Sequence, residues 1–295
     1  MSDAPHNPVE PPPDAAVVRA VGLVKRFSDH LVLDGVDLSV RAGETMVVMG
    51  GSGCGKSTLL RHMIGSMWPD AGRVELFGQD LSRLGDEQLD GVRKRFGILF
   101  QSGALFNSMT VGQNVALPLR EHTDLDADTI DIIVRIKLEL VGLREAMDLM
   151  PAEISGGMKK RAGLARAIAL DPEILFYDEP SAGLDPVTSA EIDQLIMDLS
   201  GKLGVTSVVV THEMDSAFRI ADRMAMLDKG LMLKVAPRGE FAAIRDGSTT
   251  GDMTTDLIRQ FLRGDPEGPI TARRLTGGYE EDILGAAEPP KGWAR

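Results

Sequence analysis

Several classes of protein are excluded by what this sequence has little of. A single cysteine, Cys54, stands among 295 residues; no internal disulfide can form, and a reducing compartment suits the chain. Positive charge is in deficit, 32 Lys and Arg against 44 Asp and Glu, for a net charge of −12 and a pI near 4.9. That balance argues against a dedicated nucleic-acid surface, which rests on a Lys/Arg excess, so no nucleic-acid partner is expected. The first sixteen residues hold five prolines, three acids and no Lys or Arg, the opposite of a secretion signal with its basic start and apolar core. Residues 1–16 read instead as a disordered, Pro-rich tail. Apolar runs stay far below the roughly 18 residues a membrane-spanning helix needs, so any membrane role passes through a partner.

What is present is a sizeable core, with 43% apolar residues, organised around the stretch Met46–Ile64. An apolar run, Met46 to Met49, meets a glycine-dense loop that feeds an apolar-periodic helix through Leu59, Leu60, Met63 and Ile64. Gly50, four residues, then Gly55-Lys56-Ser57 is the phosphate-binding loop pattern in its strand–loop–helix setting. Gly50, Gly51, Gly53 and Gly55 let successive N–H groups turn inward on a triphosphate, and the following helix start adds its partial positive charge. Lys56 places an ammonium between the β- and γ-phosphates, and the Ser57 hydroxyl completes the shell of a Mg²⁺ ion. Cys54, ringed by N–H groups beside Lys56, is expected to have a stabilised thiolate that nucleotide would cover; the plain alternative is a small residue filling the loop, buried and inert.

Before the loop, residues 17–40 alternate in short, β-branched, turn-punctuated runs and read as an antiparallel flank. Phe27, on a loop after the first strand, is a candidate for stacking on adenine; the plain alternative is a core phenylalanine. Downstream, Arg73–Leu81 reads as a strand pair turning at Gly78, and Gln101 directly follows a strand, where its carbonyl can reach Mg²⁺. The period between 102 and 151 is helical, with Ile132, Ile133, Ile136, Leu140 and Leu143 near one face.

A second helix start, Ser155-Gly156-Gly157-Met158, makes another anion-binding terminus. An apolar strand, Ile174 to Tyr177, then ends in Asp178, placed to hold Mg²⁺, and Glu179, placed to deprotonate an attacking water. A tight loop ends at Asp185, and the strand 206–210 carries Thr211 and His212 at its end, on the ligand edge of a parallel sheet. Met224–Val235 reads as a hairpin about Asp228-Lys229-Gly230, and Thr254–Leu262 as a short amphipathic helix with Leu257, Ile258, Phe261 and Leu262 inward.

In this order the motifs resemble the ATP-binding subunit of ABC transporters, from Val17 to about Val235. The resemblance implies an α/β P-loop NTPase fold of ABC type: a mixed central sheet, an N-terminal antiparallel β flank and a helical signature subdomain at about 102–167. Residues 236–295 would be a C-terminal extension, either a frayed tail or an arm on a second subunit. Gly50, Gly51, Ser52, Gly53, Cys54, Gly55, Lys56, Ser57 and Thr58 match Walker A, and Phe27 the adenine-stacking aromatic. Gln101 matches the Q-loop, and Ser155, Gly156 and Gly157 the signature. Asp178 and Glu179 match Walker B with its catalytic base, Asp185 the D-loop, and His212 the switch histidine. Met158 departs from the glutamine usual there, and activity is expected to survive. The implied cofactors are ATP and Mg²⁺, each ATP lying between one subunit's Walker A and the other's signature in a head-to-tail homodimer. The segment after Gln101 would receive a permease's coupling helix.

The stretches QSGALFNSMTVGQNVALPLREHT, SGGMKKR and DLIRQFLRGDPEGPI look like the ATPase of the Mla/Mce-type bacterial lipid-trafficking transporters. That branch implies an integral-membrane permease, an Mce-domain lipid-binding protein, often a small STAS-domain subunit, and a peripheral place on the cytoplasmic face of the inner membrane. Other readings share the motifs: an iron–sulfur cluster-assembly ATPase, the ATPase of a different ABC importer, and a non-hydrolysing scaffold, against which Glu179 argues. Repair-type ATPases carry long coiled-coil insertions, but only 98 positions (155 − 57) separate Ser57 from Ser155, without sustained heptads.

Overall fold

Three strands, each with an apolar run at its middle, build the centre of the molecule. In the structure, a computed structural model that describes residues 16–28, 30–248 and 252–271, these are β3 (Thr45–Met49), β7 (Ile174–Asp178) and β8 (Thr206–Thr211). Buried on both faces, parallel strands show no alternation of polar residues, and every residue of β3 and β8 is buried. They sit inside a six-stranded sheet ordered β10-β9-β3-β8-β7-β6, completed by β6 (Phe96–Leu99), β9 (Arg223–Asp228) and β10 (Leu231–Pro237). All pairings are parallel except the β9–β10 hairpin, which makes the sheet mixed. The expected N-terminal tail lies, apart from Ala16, outside the described residues, as does the chain after residue 271.

A separate antiparallel sheet ordered β2-β1-β4-β5 contains β1 (Ala16–Phe27), β2 (His30–Arg41), β4 (Ala71–Leu76) and β5 (Gln79–Asp80). Helix α1 (Lys56–Met63) packs between this flank and the central sheet. Its Leu59, Leu60 and Met63 share one cluster with Leu23, Leu33 and Val36 of the flank. From the central sheet the cluster takes every second residue: Met46 and Val48, Ile174 and Phe176, Val208 and Val210, Ala225 and Leu227. One face of each strand is enough to enclose the helix, because strand side chains alternate. Each fully buried aliphatic side chain contributes about 1.5–3 kcal/mol relative to exposure.

Helix α2 (Asp86–Arg93) precedes β6, and α3 (Val111–His122), α4 (Ala127–Leu140) and α5 (Gly156–Ala167) form a helical layer between β6 and β7. The α4 helix departs from the expected packing. Ile130, Val134 and Leu138 are buried, whereas Ile132, Ile136 and Leu140 are 58%, 54% and 39% exposed. The two stripes are offset by two residues, about 200° around a helix, so packing against α3 and α5 buries one and leaves the other to solvent. After β7 come α6 (Pro186–Leu203) and, after β8, α7 (Met214–Ile220).

Contacts divide the chain into two compact units after Arg238. The second contains most of α8 (Arg238–Asp246) and all of α9 (Met253–Arg263). Leu257, Ile258 and Leu262 of α9 are buried as expected, but Phe261 is only half-buried and Gln260 takes an inward place. The Gln260 amide donates to the Asp265 carbonyl and the Thr271 hydroxyl, and its oxygen accepts from the Ile270 N–H.

Where β6 meets the end of α5, Gly97 has no room for a side chain: a Cβ there would stand 2.1 Å from the Ala167 carbonyl oxygen and 2.8 Å from Leu175. Gly97→Ala is expected to destabilise the protein by about 2 kcal/mol or more, since an inserted methyl must move backbone. Urea unfolding, read at unchanged slope, measures it; a loss below about 0.5 kcal/mol would mean that α5 yields at little cost.

Candidate active site

Register alone brings the predicted residues to one edge. Met49 of β3 pairs with Thr211 of β8, Val210 of β8 with Asp178 of β7, and Tyr177 of β7 with Leu99 of β6. Gly50, His212 and Glu179 therefore each begin a loop at the carboxyl ends of adjacent strands, and Gln101 lies two residues past β6. Open parallel sheets bind ligands at this edge.

The loop after β3 holds its shape because two glycines pass close to backbone. Gly50 has φ +155°, and a Cβ on it would lie 2.1 Å from the Leu227 carbonyl oxygen and 2.7 Å from Cys54 Sγ. Gly55, at φ +112°, lies against Val32 and Leu33 of β2 in the same way. Gly55 is also the N-cap of α1 and offers no side-chain acceptor, so the first-turn N–H groups are left for an anion. The Lys56 ammonium donates to the carbonyls of Gly50 (2.8 Å) and Gly51 (3.0 Å), bracing the loop from within. Ser52, Gly53 and Ser57 are exposed; Gly51 and Thr58 are half-buried.

The structure overturns the stabilised thiolate and favours the buried alternative for Cys54. Only 6% exposed, it belongs to the main apolar cluster, and its sulfur lies under the loop toward Gly50. Burial pushes the thiol up from its ordinary value, outweighing the opposite pull of Lys56. The thiolate is therefore disfavoured.

The Ser57 hydroxyl stands near enough to Asp178 to favour its charged form, and Asp178 Oδ1 is buried with no partner. Burial, then the neighbouring Glu179 charge, pushes the Asp178 carboxyl above its usual range. An orphaned carboxylate oxygen beside a hydroxyl is a hard-oxygen donor set that fits Mg²⁺, for which three or more clustered acids or histidines are unnecessary. Among the described residues no such cluster exists. Gln101 is exposed on the turn after β6, and none of the described hydrogen bonds joins it to this pair.

Glu179 is 9% exposed and adopts φ +49°, the left-handed region that costs a non-glycine residue of order 1–3 kcal/mol. Its surroundings hold it there from several sides. The Glu179 N–H donates to the Val210 carbonyl (2.9 Å), and Oε2 accepts from His212 Nδ1 (2.9 Å) and from the His212 backbone N–H (3.3 Å). Because a carboxylate only accepts, His212 carries its proton on Nδ1 in this contact. The imidazole is 58% exposed.

Phe27 is not a core phenylalanine. It is the last residue of β1, 44% exposed, with the Lys25 ammonium 5.6 Å from its ring centroid. Ser155 caps α5, its hydroxyl accepting from the Met158 N–H at 3.2 Å, and Ser155 and Gly156 are exposed. Gly157 is buried against α6, where a Cβ would meet Thr188 at 2.5 Å. Asp185 caps α6, accepting from the Val187 and Thr188 N–H groups and the Thr188 hydroxyl. Those bonds, the hydroxyl's first, hold its carboxyl below the usual range.

The family profile described as ABC transporter matches residues 33–182. The "Intermembrane phospholipid transport system ATP-binding protein MlaF" of Escherichia coli (strain K12) is 44% identical over 87% of this chain and 92% of its own length. The chain belongs to the ABC transporter family. Its members among the relatives include the "Probable ribonucleotide transport ATP-binding protein mkl" of Mycobacterium leprae, 42% identical over 88% of this chain and 72% of that protein. A dimeric ATP-binding cassette, MJ0796, in a post-hydrolysis state bound to ADP and Pi, superposes with a TM-score of 0.69 at 29% identity, over 75% of this chain and 98% of that one. This ABC subunit is an ATPase, and the loop at Gly50–Thr58 lies at the carboxyl edge of its parallel strands.

One residue in contact with the catalytic edge of this ABC subunit was not singled out from sequence. Lys160, on α5, is 5% exposed and donates to the Glu179 carbonyl at 3.0 Å. A signal for it exists: Lys160 falls between Gly157 and Leu164 at helical spacing, a lysine in the buried stripe of α5.

With its sulfur buried, Cys54 is expected to react with a maleimide at least about 100-fold more slowly in the native ABC subunit than in the urea-unfolded chain. ATP and Mg²⁺ should change the native rate little. Fast labelling that nucleotide suppresses would contradict the inward placement of the thiol.

Proposed function

We propose that this chain is the ATP-hydrolysing subunit of an Mla/Mce-type phospholipid transporter, working as a head-to-tail homodimer on the cytoplasmic face of the inner membrane. The observation that carries the dimer is a half-built site: the loop, Asp178, Glu179 and His212 share one edge, whereas Ser155 uses its hydroxyl only to cap its own exposed helix start. A second copy would bring Ser155, Gly156 and Gly157 to the γ-phosphate, with Asp185 close to the same seam. The dimeric MJ0796 cassette supports that arrangement.

In this reading Phe27 stacks on the adenine, and the N–H groups of the loop with Lys56 hold the phosphates. Ser57, Asp178 and Gln101 would hold Mg²⁺, which supplies charge neutralisation on the β- and γ-phosphates when bound. Glu179 takes the proton of the attacking water, and the exposed His212 ring turns from Glu179 toward the γ-phosphate once it is present. Release of that phosphate lets the halves part, and the groove of about 770 Å³ lined by Phe96, Phe100, Phe106, Pro118 and Arg166 is where a permease's coupling helix would dock. No described helix is long and apolar enough to cross a membrane, so transport requires that integral partner. A STAS-domain subunit and an Mce-domain lipid-binding protein complete the proposed assembly.

Glu179→Gln is expected to lower turnover by about 10²-fold or more while ATP still binds, and to run as a dimer with ATP on a sizing column. A variant within a few-fold of the parent rate would show that Glu179 is not the base. The phospholipid assignment follows the MlaF relative's name, and the mkl relative's name favours a second reading, ribonucleotide transport. Purifying the chain from detergent-solubilised membranes separates them. Expected is a complex with an integral permease that carries phospholipid and whose ATPase rate responds to added phospholipid; a response to ribonucleotides alone would favour the second reading.

A further inference from the structure

The signature helix reaches Glu179 of its own subunit through one buried lysine. Lys160 lies five residues beyond the cap Ser155, so a single rigid turn and a half of α5 separates the helix start from the lysine. Its ammonium reaches the carbonyl oxygen of Glu179 at 3.0 Å, in a buried contact. Glu179 is held in the left-handed region with φ +49°, and its N–H and carboxylate are already engaged by Val210 and His212. The carbonyl accepts from the Ala182 N–H at 3.2 Å, a bond within its own turn, and from Lys160, which reaches it from α5.

We propose that Lys160 is a positioning residue for hydrolysis: by bonding the Glu179 carbonyl it fixes the backbone conformation that aims the Glu179 carboxylate. It thereby makes that aim depend on how α5, with Ser155 at its start, is seated. The inference rests on the reading of Glu179 as the base. A strained backbone persists only where its surroundings over-determine it, and a displacement of about 1 Å at a reacting group can cost ~100-fold in rate. The placement of the ammonium is not explained by packing alone. Burial lowers its pKa, against the pull of Glu213, Glu179 and Asp178, so a neutral side chain of similar length would sit there more cheaply if no directed bond were needed.

The test compares Lys160→Met, which keeps length and removes the donor, with Lys160→Gln, which keeps an N–H donor, on the full chain. Steady-state ATPase, equilibrium ATP binding and thermal unfolding are measured for each. For the Met variant kcat is expected to fall roughly 10- to 100-fold, with KM and ATP affinity within about twofold of the parent. The Gln variant is expected to recover at least about a third of the parent kcat, because a directed donor is restored. In a Glu179→Gln background, adding Lys160→Met should change the residual rate by less than about twofold, as two residues acting through one group are not additive. Parental kcat in the Met variant, equal impairment of folded Met and Gln variants, or an additive loss in the Glu179→Gln background would each overturn the proposal. If the Met variant does not fold, the folded Gln variant decides: recovery supports the proposal, and a loss of about tenfold overturns it. Parental activity of Glu179→Gln would instead remove the base reading and this inference with it, whereas full activity of Lys160→Met beside an inactive Glu179→Gln removes this inference alone.

Discussion

Everything at the catalytic edge depends on where the N-terminus of α1 is held. An eight-residue helix has little stability of its own in water, and this one is kept by burial between two sheets that share no strand. The flank supplies Leu23, Leu33 and Val36 and the central sheet supplies alternate residues of its strands, so the helix can neither rotate nor slide without opening the main cluster. Its fixed position makes the glycine loop possible. Gly50 and Gly55 run so close to Leu227 and Val32 that both sheets form the wall of the phosphate loop, and the loop's concavity is a consequence of packing several strands away.

The electrostatics of the same edge follow from placing acids where the strands stop. Asp178 and Glu179 are adjacent, the first half-buried and the second buried, which disfavours two negative charges unless cations or donors face them. Ser57, Lys56 and Arg61 favour the charged form of Asp178, and His212 and Lys160 hold Glu179 by side chain and by backbone. Asp178 keeps one oxygen unpartnered. This inventory is what the proposed magnesium–nucleotide pair would complement, positive charge meeting Asp178 and negative charge meeting the loop.

The helical layer is tied to that edge by side chains rather than by the sheet. Gly97 and Gly163 let α5 approach β6 and the turn after it, and Lys160 bonds Glu179 from the same helix. Asp193 of α6, fully buried, accepts from Ser216 and Arg219 of α7, so the helix that follows Asp185 is clasped to the one that follows His212. A movement of α5 or α6 is therefore felt by the residues that face the nucleotide edge, which is the property a motor subunit needs.

The sequence by itself determined the element types and their functional order. The phosphate loop, the acid pair after an apolar strand, the histidine after another, and the hairpins at Gly78 and Gly230 are local patterns, each set by glycine conformations, strand alternation or apolar runs within a few residues. Those patterns also identify the family. Tertiary structure alone decided which side chains of each pattern face inward. Cys54 looked exposed to the phosphate because its neighbours are loop residues, yet its sulfur lies under the loop toward Gly50, in a cluster that includes Leu227, more than 170 positions away. On α4 two apolar stripes compete, and the sequence carries no sign of which one α3 and α5 cover, so the stripe of Ile132 and Ile136 is left to solvent. The burial of Lys160 is legible in the α5 stripe, but its partner is not: that partner is a backbone carbonyl on another element, and backbone groups leave no mark in a residue pattern. Local chemistry is written in neighbouring residues, whereas burial and aim are set by contacts that exist only once the chain has closed on itself.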